Sequence, residues 1–104
     1  MKPTQAQQKL LLAMRRGCRV EMTPSTGVMF LDMPAEKAFG IHPNVLYACS
    51  DRGWLLVRGT GPRWEYRITL EGLRALEECY AEGEPIRMEI FRLRAALQVK
   101  ENRP

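Results

Sequence analysis

The chain has 104 residues, 45% of them hydrophobic and 27% charged, and 16 Lys and Arg against 12 Asp and Glu leave it at net +4. That length and balance suit one small globular domain with a modest core, for which burial against a partner is an advantage. Three widely spaced cysteines (Cys18, Cys49, Cys79) and the single His42 argue against a zinc site, which takes about four such ligands in paired spacing. The cysteines read instead as small core residues in a reducing cytoplasm. No segment approaches membrane-spanning length and no signal-type apolar run opens the chain. The expectation is a cytoplasmic protein without metal, cofactor or membrane partner.

Thr4 to Arg16 reads as a helix. Thr4 is an N-cap, and Gln7 three residues on completes a capping box. Ala6, Leu10, Ala13 and Met14 form an apolar stripe flanked by Leu11, and Gly17 follows Arg15 and Arg16 as a stop. From Cys18 the period changes. Cys18, Val20 and Met22 alternate with Arg19, Glu21 and Thr23, a turn spans Thr23 to Gly27, and Val28 to Leu31 is a second strand. The pair is expected to form a hairpin, with an irregular loop over the core as the alternative.

Asp32 and Pro34 open a short helix from Pro34 to Phe39, ended by Gly40. His42-Pro43-Asn44 starts another, running to Asp51 or Arg52. Two short helices split by a Gly-containing turn give the helix-turn-helix layout. On the second, Val45, Leu46 and Cys49 share one face, while Asn44, Tyr47, Ala48 and Asp51 share the other.

Trp54 to Arg58 and Arg63 to Thr69 are two strands joined by the turn Gly59-Thr60-Gly61-Pro62. Trp64, Tyr66 and Ile68 alternate with Arg63, Glu65 and Arg67, which favours core packing of Trp64 and Tyr66 over a stacking platform for single strands. Thr69 caps a helix with Glu71 in its first turn and Leu73, Leu76 and Tyr80 as its stripe, ended by Gly83 and Pro85. Pro85 to Lys100 is a last helix with Ile86, Ile90, Leu93 and Leu97 on one line. That line is either intrachain core or a dimer seam; the seam is preferred, since a small domain gains core by pairing. The organisation expected is a domain over residues 1–83 and a dimerising or partner-binding helix over 84–104, with Glu101 to Pro104 fraying.

Charge is uneven along the chain. Up to Thr69 ten bases face five acids, and Glu71, Glu77, Glu78, Glu82 and Glu84 then make the next stretch acidic. A basic front and an acidic back suit a protein that presents one side to phosphate.

This order of elements resembles the winged-helix superfamily of bacterial and phage regulators. The stretch Arg67 to Leu76, RITLEGLRAL, resembles the segment after the wing in regulators similar to the MarR and PadR groups. In those a strand ends in a Leu-Thr-like pair, followed by Gly and a Leu stripe. The resemblance implies an α+β winged helix-turn-helix, here with an extra β-hairpin after the first helix and an amphipathic C-terminal helix. It implies a homodimer that binds double-stranded DNA and regulates transcription. Asn44 is then placed to pair with an adenine edge and Tyr47 to meet a phosphate or a thymine methyl. Arg52, Arg58, Arg63 and Arg67 meet phosphates, with Arg63 at the wing tip. The helix carrying Asn44 offers no Lys or Arg before Arg52. A protein partner, held by the C-terminal helix and the Tyr47 face, is therefore the alternative. Catalysis is not expected: His42 and Cys49 stand about two helical turns apart, and Gly59 and Gly61 lead into a strand, unlike a phosphate-binding loop.

Overall fold

Residues 2–59 and 61–102 are described by a computed structural model. Helix α1 (Gln5–Met14) begins at the expected capping box. The Thr4 hydroxyl accepts the Gln7 N–H at 3.2 Å, and the Gln7 side chain accepts the Thr4 N–H at 2.9 Å. Its buried arc is Leu10, Leu11 and Met14. Leu11 therefore belongs to the centre of the stripe, and Ala6 lies at the surface.

Strands β1 (Val20–Thr23) and β2 (Gly27–Phe30) pair antiparallel with Val20 opposite Phe30 and Thr23 opposite Gly27, so the hairpin forms. The Thr23 hydroxyl closes the turn by accepting the Thr26 N–H at 3.0 Å. At the open end Arg19 holds Asp32. Its backbone N–H and its Nε both donate to Oδ2, and Nη2 donates to Oδ1, each at 2.9 Å.

The helix expected over Pro34 to Phe39 is a single 3-10 turn, Ala35–Lys37. The start signals are present, but the turn buries no side chain and Ala38 is already extended. Without an apolar stripe to dock, helix nucleation is not repaid. Phe39 packs instead on Phe30, ring centres 5.0 Å apart, under the Lys9 ammonium at 4.2 Å. Among the described residues the helix-turn-helix layout is thus reduced to this turn and helix α2 (Pro43–Asp51). His42 caps α2 through Nδ1, which accepts the Asn44 N–H at 3.1 Å.

Strands β3 (Leu55–Arg58) and β4 (Trp64–Ile68) form the second hairpin. Thr60 in its turn lies outside the described residues. Strand β1 pairs with β4 as well as with β2, giving one antiparallel sheet in the order β2-β1-β4-β3. Helices α3 (Leu70–Glu77) and α4 (Pro85–Glu101) follow. Of Glu101 to Pro104, expected to fray, Glu101 instead closes α4 and Asn102 caps it, while Arg103 and Pro104 lie outside the described residues. Thr69 joins three pieces of chain: its N–H reaches the Trp54 carbonyl at 3.0 Å, its hydroxyl donates to the Gly53 carbonyl at 2.6 Å and accepts the Gly72 N–H at 3.0 Å. Gly72 lets α3 close on this joint, since a Cβ there would collide with the Trp54 carbonyl and the Ile68 side chain.

The architecture is α+β, with four α-helices and a four-stranded antiparallel sheet among the described residues. One core takes Leu10, Leu11 and Met14 from α1, Leu46 and Cys49 from α2, Val20, Leu55 and Tyr66 from the sheet and Leu73 and Leu76 from α3. Ile90 of α4 is fully buried in that same core, and Ile86, Leu93 and Leu97 pack against it. The line expected to form a dimer seam is thus occupied within the chain. Met88, Phe91 and Val99 are the large apolar side chains that α4 turns outward.

Candidate nucleic-acid interface

The site is built from α2, the β3–β4 hairpin and strand β1, which pairs with β4. In α2 the period of the helix turns Leu46 and Cys49 inward and leaves Asn44, Tyr47 and Asp51 exposed. Burial pushes the Cys49 thiol up to about 11, and it also raises the thiols of Cys18 and Cys79, so none is primed as a nucleophile. Tyr47 leans over the sheet, its hydroxyl 2.9 Å from the Met22 sulfur. Met22 stands opposite Trp64 across the β1–β4 ladder, and Val57 stands opposite Tyr66 across β3–β4. Tyr47, Val57 and Trp64 are each about two-fifths exposed, at 41%, 40% and 37%. Tyr66 is core, as expected, while Trp64 is half open, because the strand carries it beyond the helices.

The other face of the sheet carries charge of both signs. Glu21 stands opposite Glu65, and Glu65 opposite Arg58. Arg67 Nε donates to Glu65 at 2.9 Å, Arg19 Nη1 lies 3.8 Å from the same carboxylate, and Arg63 Nη1 lies 3.9 Å from Glu21. The Arg19 guanidinium, by its side-chain hydrogen bonds first and its backbone N–H next, holds the Asp32 carboxyl down at about 2.

The six basic or polar residues expected at DNA therefore separate into groups. Arg58 and Arg63 come together at the hairpin tip, around a hollow they share with Glu21, Trp64 and Glu65. Arg63 is 75% exposed and its contact with Glu21 is long; such a surface pair is worth about 0–1 kcal/mol and yields readily to a phosphate. Arg58 has no carboxylate within 4.0 Å among the described residues. Tyr47 reaches toward the hairpin, with Asn44 one turn earlier on α2. Arg52 lies about 12 Å along α2 from Asn44 and stacks on Trp54, 5.4 Å from the ring, at the base of β3. Arg67 lies beside Glu65 on the sheet face away from Tyr66, the face that also carries Arg58. The carboxylates Glu21 and Glu65 were readable partners, since each alternates in its strand on the same side as the arginines.

Compared with known proteins, the chain matches no family model, no curated protein and no solved structure. No helix among the described residues is long and apolar enough to cross a membrane. No group of three or more His, Cys, Asp or Glu side chains among them is gathered as for a metal ion.

Proposed function

We propose that this is a small winged-helix protein that binds double-stranded DNA through the β3–β4 hairpin and α2, as a cytoplasmic transcriptional regulator of bacterial or phage type, without catalysis. The observation that supports the reading is the reach of Tyr47 from α2 to Met22 on β1, the strand paired with β4, next to a hairpin whose tip carries Arg58 and Arg63. In it the hairpin meets phosphates or the minor groove, while Asn44 and Tyr47 face the major groove. Arg52 and Arg67 have secondary roles, since one stacks on Trp54 and the other is paired with Glu65. A homodimer brings two such hairpins to two half-sites, with contact on the outward side of α4 at Met88, Phe91 and Val99; a monomeric mass by light scattering removes that part.

The test is anisotropy with a mixed-sequence duplex at several salt concentrations. Affinity should fall log-linearly with salt, and Arg63→Glu should weaken it about tenfold or more at low salt. Unchanged affinity for Arg63→Glu, or no binding at low salt, sinks the reading.

A second reading is favoured by the apolar surface of Tyr47, Val57 and Trp64 and by the absence of Lys and Arg on α2 before Arg52. In it the Tyr47 side of the sheet binds a protein. Tyr47→Arg separates the two. It adds a cation facing the duplex and should strengthen DNA binding, whereas a protein contact centred on the tyrosine should be lost. Truncation after Gly83 is unsuited to this question, because it removes Ile90 from the core.

A further inference from the structure

The end of α1, strand β4, helix α3 and helix α4 enclose a cleft of about 280 Å³. Its floor is aliphatic: Ile68, Leu73, Leu93, Ala96 and Leu97. Its rim is basic: Arg15, Arg16, Arg67 and Lys100. Neither an acidic nor an aromatic side chain lines it among the described residues. Two carboxylates beside it hold the arginines in place. Glu89 receives Arg15 Nε at 2.8 Å and also Arg16, and Glu65 receives Arg67 Nε at 2.9 Å. Four cations against two carboxylates leave the rim net positive, and Lys100 has no carboxylate within 4.0 Å among the described residues.

We propose that this cleft binds a small aliphatic carboxylate, an acyl anion of medium length. The hydrocarbon lies on the floor and the carboxylate on the rim. The volume sits at the lower edge of the roughly 300–1,000 Å³ usual for ligand pockets, which selects a small guest. The floor has no hydroxyl, amide or ring, so it recognises plain hydrocarbon and gives most of the affinity by burial. Guanidinium groups already oriented by Glu89 and Glu65 match the planar carboxylate and set the direction of the guest. The site shares strand β4 and Arg67 with the hairpin of the nucleic-acid reading but takes no residue from α2, and its test does not depend on duplex binding.

The experiment titrates the full chain with sodium octanoate, 1-octanol and sodium acetate, followed by amide and methyl chemical shifts. Octanoate should give saturable shifts centred on Ile68, Leu93, Leu97 and Lys100. Octanol and acetate, each lacking half of the recognition, should bind at least about tenfold more weakly. Lys100→Glu, at an exposed position, should weaken octanoate about tenfold and leave octanol unchanged. Ala96→Phe should fill the cleft and abolish both; if that variant fails to fold, the Lys100→Glu comparison still decides. Octanol binding as tightly as octanoate overturns the proposal, as do unsaturable shifts or shifts centred on Met88, Phe91 and Val99. Co-sedimentation with phosphatidylglycerol vesicles while octanoate leaves the shifts unmoved overturns it in favour of a lipid surface.

Discussion

Three strands of the sheet run from a closed end to an open one. On β4 Tyr66 is buried and Trp64 is 37% exposed; on β3 Leu55 is 4% exposed and Val57 40%; on β1 Val20 is closed and Met22 half-buried. The alternation of side chains is the same along each strand. The difference lies in what stands above it. Helices α1 and α3 close over the base, while only the Tyr47 edge of α2 reaches toward the tip. Burial is therefore concentrated at one end of the sheet, and the other end is left open.

The sharpest way to break this comparison is a pair of truncations. Leu76→Ala, at a fully buried position of α3, should cost about 2–5 kcal/mol in denaturant unfolding, whereas Trp64→Ala, on a side chain that is 37% exposed, should cost less. Equal losses would mean that the tip is as structural as the base. Gly72→Ala comes next. The added methyl pushes α3 off the Trp54 carbonyl, and overpacking of this kind costs about 1–3 kcal/mol; an unchanged midpoint would show that the joint has slack.

The smallest effect concerns the Arg19–Asp32 pair, which pins the base on its outer side. The Asp32 carboxyl is lowered from 3.8 to about 2 in the folded chain. Its contribution is therefore complete above the unfolded value and is lost as pH falls from about 4 toward 2. Both side chains are more than a third exposed, so solvent screening keeps the change modest. Asp32→Asn should flatten that segment of the stability–pH curve; a variant that tracks the parent there would remove the pair from the account.

The local signals were readable because the physics behind them is local. The Thr4–Gln7 box, the Thr69 cap, the His42 start and both hairpins depend on residues within a few positions of one another. The failures share the opposite property. Pro34 to Phe39 carried the marks of a helix start, but its fate was decided by Phe39 meeting Phe30 and Lys9. Alternation placed Trp64 on the inner face without saying where the covering helices stop. The line Ile86, Ile90, Leu93, Leu97 was legible as buried, but not what buries it. The basic-rimmed cleft was illegible for the same reason, since it exists only once the end of α1 meets β4, α3 and α4, about 50 residues or more further along the chain. The charge count up to Thr69 suggested a basic front; the folded sheet interleaves Glu21 and Glu65 with the arginines, and the remaining excess is divided between the hairpin tip and the rim of the cleft.

The bonds around Thr69 have one more consequence. They tie Gly53 and Trp54, where the second hairpin leaves the helices, to Thr69, where it returns. The excursion from Leu55 to Ile68 thus starts and ends at a fixed clasp. Lengthening a loop whose ends are already held costs little entropy, so the tip can be rewritten in sequence and length while the body keeps its packing. A lineage of such chains can vary this tip without having to relearn how to fold.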